Sequence, residues 1–177
     1  MSYDPDERNR RSIRLPQYDY TASGAYFVTV CVEGRSSLLG KVNDGRINLS
    51  QIGLTVEKAW QSISERFPDV NVDWYVIMPN HFHGIVSIDA NGKLRDRKEE
   101  DSSVSLASVM RAFKSISARE ANLLLGIEGK RFWQRNYYER VIRDEEELCQ
   151  LRTYITNNPS AWDDDEHNPM RRKTSKG

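Results

Sequence analysis

The stretch from Asn71 to Ile88 constrains the fold more than any other part of the chain. It reads as two runs, NVDWYVIM and HFHGIVSI, joined by Pro79-Asn80. Both runs are rich in β-branched and aromatic residues, and a short break between such runs predicts an antiparallel hairpin. Successive side chains of a strand leave opposite faces of the sheet. In the second run Phe82, Gly84, Val86 and Ile88 therefore face a core, while His81 and His83 leave the other side together. Imidazole binds zinc and divalent transition metals. Two nitrogen ligands are too few for a closed structural zinc site and suit an open one that also holds substrate. The competing reading of the pair is two polar residues on the solvent face of a hairpin end.

The remaining elements follow from periodicity and punctuation. Ala25 to Val32 (AYFVTVCV) is a strand, and Asn43-Asp44-Gly45 is a turn before a short strand from Arg46 to Leu49. Ser50 caps a helix expected from Gln51 to about Arg66, with Leu54, Ala59, Trp60 and Ile63 as its apolar positions. A second helix runs from about Ser105 to Leu125 on the stripe Leu106, Val109, Met110, Phe113 and Ile116. The aromatic, basic run from Phe132 to Ile142 ends in a short strand. Asp144 and Glu145 to Glu147 then suit the start of a last helix, where negative charge meets the helix dipole, and this helix stops before Pro159. Helices laid on one face of an antiparallel sheet give an α+β, ferredoxin-like sandwich. Residues 18–162 form that domain. Residues 1–17 are a flexible arm with Arg8, Arg10, Arg11 and Arg14. Residues 89–103 are a charged loop, and residues 163–177 are a polar tail.

Composition narrows the function classes. The 177 residues hold 26 Lys+Arg and 26 Asp+Glu, so net charge offers no argument for nucleic acid, and local clusters must carry any such claim. Cys31 and Cys149 lack a CxxC partner and read as two buried thiols in a reducing compartment. The polar N-terminus and the lack of a long apolar run predict a cytoplasmic protein with no membrane partner.

The last helix carries the second half of the candidate site. Leu148, Leu151 and Ile155 form a stripe that packs on the sheet, and Tyr154 projects from its flank. Asn158, four residues on, lies beside Tyr154. If that edge is the histidine face, phenol, amide and imidazoles meet. Pattern alone does not select among eight tyrosines. Tyr137 and Tyr138 are rivals within an aromatic run suited to packing or base stacking.

Three segments resemble a known family. Tyr75-Val-Ile-Met-Pro-Asn-His-Phe-His-Gly-Ile-Val86 resembles the metal-binding strand of the HUH single-tyrosine transposases. Phe132-Trp-Gln-Arg-Asn-Tyr-Tyr-Glu-Arg-Val-Ile-Arg-Asp144 resembles the segment before their catalytic helix. Tyr154-Ile-Thr-Asn-Asn-Pro159 resembles the end of that helix. The likeness runs from about Tyr18 to Trp162 and is nearest to the REP-associated tyrosine transposases. It implies His81, His83 and Asn158 as ligands of a divalent metal, Mg2+ or Mn2+, and Tyr154 as nucleophile. It also implies a transposase that cleaves and rejoins single-stranded DNA through a 5′-phosphotyrosine. The DNA would be a hairpin-forming repeat or element end, and the enzyme a monomer or homodimer.

DNA contacts are expected from Arg111 and Lys114 on the second long helix, and from Arg135, Arg140 and Arg143 around Trp133 and Tyr137. Basic groups for phosphates with aromatics for bases suit single strands. Two other readings compete. One is a non-catalytic, ferredoxin-like single-strand-binding module, and the other is a metal-dependent hydrolase in which water attacks.

Overall fold

The computed structural model describes residues 24–89 and 104–171. The expected arm at residues 1–17 and the loop from 90 to 103 lie outside these. The elements are β1 (Gly24–Cys31), β2 (Gly40–Asn43), β3 (Arg46–Leu49), α1 (Gln51–Gln61), α2 (Ile63–Arg66), β4 (Val70–Ile77), β5 (His81–Ile88), α3 (Leu106–Leu125), β6 (Tyr138–Ile142) and α4 (Glu145–Asn157). Short 3-10 helices occupy Glu33–Arg35 and Pro159–Asp164. Four strands form one antiparallel sheet in the order β4-β5-β1-β6. This is the antiparallel α+β fold that the sequence predicts, but the helices do not all lie on one face as expected: α1 and α3 cover one side, and the apolar stripe of α4 takes it to the other.

Local chemistry explains the boundaries. The β2–β3 hairpin turns through Asp44 and Gly45 at φ 50° and 71°, the two positive angles that an Asp-Gly type I′ turn requires. The Ser50 Oγ accepts from the Gly53 N–H at 3.1 Å and starts α1. The expected single helix to Arg66 is two, because the chain bends at Ser62 between α1 and α2. Ser105 and Ser108 cap α3 reciprocally. Asp144 accepts from the Glu147 N–H at 2.8 Å and starts α4.

The two faces of the sheet carry different loads. Tyr26, Val28 and Val30 of β1 join Phe82, Val86 and Ile88 of β5 in the larger core, under α1 and α3. Trp60, Phe82 and Phe113 lock it, with ring centroids 4.7 to 5.1 Å apart. Buried aromatics of this kind dominate core energetics. The opposite face holds Phe27, Val76, Met78, Ile85 and Ile142, and α4 packs Ile155, Leu148 and Leu151 onto it. That second, smaller cluster brings α4 to the histidines. No helix among the described residues is long and apolar enough to cross a membrane. Cys31 is half-buried but Cys149 is exposed, because α4 turns only one narrow stripe to the sheet.

Candidate active site

Register places the histidines. Cys31 faces His81 and Thr29 faces His83 across the β1–β5 ladder, so all four share one face. Both histidines are buried, at 0% and 3% exposure. Buried polar groups must be hydrogen-bonded, and the partners here fix the ring orientation. Asn80 donates its Nδ2 to the carbonyls of Arg35 and His167, at 3.1 and 2.7 Å. Its Oδ1 is therefore left to accept from the His81 Nδ1–H at 2.9 Å. That bond puts the His81 proton on Nδ1 and leaves a lone pair on Nε2. His83 Nδ1 lies 2.7 Å from the Thr29 Oγ1. The two Nε2 atoms converge at 3.1 Å. Outer partners of this kind orient metal-binding imidazoles.

Burial keeps these rings neutral, the form that binds metal. Desolvation, then the neighbouring His83, His167 and Arg35, holds His81 well below the usual 6.5. Desolvation, then His167, lowers His83 to about 3. The sign for stability follows. Below pH 6.5 the unfolded chain takes up protons that folded His83 refuses until about pH 3, so the native state loses stability on acidification through that window. The loss approaches about 1.4 kcal/mol per pH unit for each such histidine. Urea unfolding midpoints at pH 7.5 and 5 should differ accordingly, and a midpoint independent of pH would contradict the burial of these rings.

Tyr154 joins them from α4. Its Oη lies 3.4 Å from the His83 Nε2, and its ring meets His83 and Phe27 edge-on at 5.3 and 6.0 Å. The side chain is 47% exposed, so a substrate can reach the phenol. Burial of the hydroxyl end raises its pKa, a hydrogen bond from Asn158 pulls it back, and Asp165 and Glu166 raise it further. Asn158 ends α4 at 3% exposure, and its buried Oδ1 has no hydrogen-bond partner. The edge left open by the sequence is thus the histidine face: His81, His83 and Tyr154 meet there, and Asn158 adjoins them through its hydrogen bond to Tyr154.

The expected DNA contacts gather less well. Trp133 is 3% exposed and donates its Nε1–H to Ser117 at 2.9 Å, so it is a core residue and offers no face to a base. Lys114 donates to the carbonyls of Gln134 and Arg135, at 2.7 and 3.0 Å, and its charge ties down that loop. Arg111 is exposed on α3, across the sheet from the histidines. Arg140 lies on the histidine face, opposite Phe27, but pairs with Glu147 of α4. Arg135 and Arg143 are exposed. Of the two adjacent tyrosines, Tyr137 packs against the larger core, whereas Tyr138 pairs with Thr29 and is 42% exposed on the histidine face. Strand alternation decides this once the β1–β6 register is known.

Sequence reasoning missed His167 and Asp165. The stretch expected as a polar tail returns to the site. The His167 ring lies 4.4 Å from that of His81, and an Asp165 oxygen lies 3.9 Å from the His81 Nε2. The one available signal was an Asp-x-His pair in a chain with only three histidines.

An antiparallel sheet, a His-Phe-His strand whose histidines face away from α1 and α3, and a tyrosine-bearing helix packed over that face make up the candidate site of this α+β domain. No family model matches the chain. It is 37% identical to an uncharacterized protein of Haemophilus influenzae, over 93% of this chain and 96% of that protein. A second Haemophilus influenzae protein, provisionally named a REP-associated tyrosine transposase, is 24% identical over 80% of this chain and 73% of that one. A solved REP-associated tyrosine transposase, bound to a REP hairpin, matches with a TM-score of 0.55 at 21% identity, over 81% of this chain and 71% of that chain. At that identity the likeness to the solved structure is one of fold. The chain belongs with the uncharacterized Haemophilus influenzae protein, which it matches along nearly its whole length, and it shares the fold of the solved REP-associated tyrosine transposase.

Proposed function

We propose that the protein is a divalent-metal-dependent nuclease and transposase that cleaves single-stranded DNA with Tyr154 and rejoins it to a new 3′ end. The observation that carries this reading is the 3.4 Å approach of the Tyr154 hydroxyl to a buried, neutral imidazole pair. The donor set fits a cation. Two Nε2 atoms converge at 3.1 Å, and the buried Asn158 Oδ1 lacks a partner, an acceptor that is costly to leave unpaired and that a cation would satisfy. His81, His83 and Asn158 would hold Mg2+ or Mn2+. When bound, such a cation polarises the scissile phosphate and offsets charge in the transition state.

The chain's own residues supply the rest. The Tyr154 oxygen attacks phosphorus, a phosphotyrosine bond forms, the bond to the 3′ oxygen breaks, and that oxygen leaves as a 3′-hydroxyl after taking a proton. α4 holds the phenol in place through the Ile155, Leu148 and Leu151 contacts, so attack costs little reorganisation. Burial raises the phenol pKa, so Tyr154 starts protonated and its proton must be given up on the way to the phosphotyrosine bond. Tyr138, exposed on the same face, offers a ring for a base, and Arg135 and Arg143 offer phosphate contacts. Because the solved relative is bound to a REP hairpin, a hairpin with single-stranded flanks is the substrate to try first.

Incubation of the protein with end-labelled hairpin DNA, with manganese or with chelator, tests the reading on denaturing gels. A covalent protein–DNA adduct that needs metal supports it. Metal-dependent cleavage without any adduct assigns the attack to water and defeats the tyrosine mechanism. DNA affinity should also fall steeply with salt, and salt-independent binding would argue against the phosphate contacts.

A further inference from the structure

The chain does not leave the site after α4. The 3-10 helix Pro159–Asp164 turns it back, and Trp162 lies 6.1 Å from the His81 ring. The next residues are pinned. Asn168 is 8% exposed and donates to the Trp162 carbonyl at 3.0 Å. The Asn80 side chain, which orients His81, also donates to the His167 carbonyl at 2.7 Å. Asp165 divides its oxygens. Oδ1 accepts from the His167 N–H at 2.7 Å, and Oδ2 faces the His81 Nε2 at 3.9 Å. One donor atom from each of His81, Asp165 and His167 lies within 4.8 Å of the other two. Ligands that bind one transition ion at about 2.0 to 2.2 Å sit roughly 3 to 4.4 Å apart, so small adjustments close this set on a cation.

Resting on the metal reading above, we propose that Asp165 and His167 are further ligands of the cation held by His81 and His83, so that the segment following the tyrosine helix completes the metal centre. Charge gives the physical reason. Two neutral imidazoles and an amide attract a dication only through dipoles, and Asp165 adds a full negative charge at short range. The resulting donor set of imidazoles with one carboxylate suits manganese, cobalt or zinc better than magnesium, which prefers oxygen. Cys31 stands beside the set, with its Sγ 4.0 Å from the His167 Nδ1, and is not one of the three mutually close donors.

Cobalt titration followed by visible absorption reads affinity and ligand field together, without DNA. The proteins to compare are wild type, Asp165→Asn, His167→Gln, Asn158→Ala and His81→Ala. Asp165→Asn keeps the shape of the side chain and removes its charge, so it decides the matter if His167→Gln fails to fold. The proposal expects both Asp165→Asn and His167→Gln to weaken cobalt binding at least about ten-fold and to alter the absorption bands. Wild-type affinity and bands in these two variants, with binding lost in His81→Ala, overturn the proposal and leave the histidine-pair reading standing. A wild-type protein that binds no cobalt, manganese or zinc removes that reading and this proposal with it.

Discussion

Replacing Tyr154 with Phe should abolish the covalent protein–DNA adduct and lower cleavage by at least about 10³-fold, while leaving the fold and metal affinity intact. The size follows from chemistry. A nucleophile's oxygen is not a contributor among several, and without it the covalent path has no first step. The structural cost is small. The substitution removes one oxygen from a half-exposed side chain, and its contact with His83 is long, at 3.4 Å. Stability should change by less than about 0.5 kcal/mol. The discriminating control is Tyr138→Phe, because Tyr138 is also exposed on the histidine face. An adduct that survives Tyr154→Phe but disappears in Tyr138→Phe would reassign the nucleophile. Undiminished cleavage in both variants would leave water as the attacking group.

The fold was legible where local periodicity and tertiary burial agree. The His81–Ile88 strand was readable to the residue, since its alternation is enforced by a helix-covered core on one side and buried polar partners on the other. The bend at Ser62 was not readable, because the apolar positions continue in helical phase through Ile63. Site residues split in the same way. His81 and His83 sit on a regular strand, so spacing fixed that they share a face; for Tyr154 and Asn158 spacing gave only that they lie side by side, and which face they meet waited for the packing of α4. Trp133 shows the opposite case. Its basic neighbours suggested a nucleic-acid surface, but a β-bridge from Val32 to Trp133 draws the indole inward, and no one-dimensional pattern records that pairing. His167 and Asp165 lie past the last regular helix, where tertiary contacts with Asn80 and His81 define position. A polar stretch without periodicity looks the same in sequence whether it is solvated or folded over a site.

Gly53→Ala should destabilise the protein by about 2 to 4 kcal/mol, although the same change in an open helix interior stabilises by up to about 1 kcal/mol. Propensity loses to contact here. A Cβ at position 53 would lie 2.0 Å from the Leu39 carbonyl oxygen and 3.0 Å from its carbon, so backbone and not a flexible side-chain tip must move. Leu39 cannot yield freely. It is fully buried, its carbonyl accepts from the Ser50 N–H at 2.9 Å, and its N–H donates to the Pro79 carbonyl at 2.9 Å. Moving Leu39 therefore loosens the cap of α1 on one side. On the other it pulls the Pro79-Asn80 turn, whose amide orients His81. At roughly 2 to 4 °C per kcal/mol for a chain of this size, the melting temperature should fall by about 5 to 15 °C. Metal affinity should drop as well, at a position far from any ligand. A melting temperature that stays level or rises would mean that the helix can shift away from Leu39 at little cost. If the fold weakens but metal affinity holds, the strain stops at the cap, and the Pro79-Asn80 turn is anchored independently of α1.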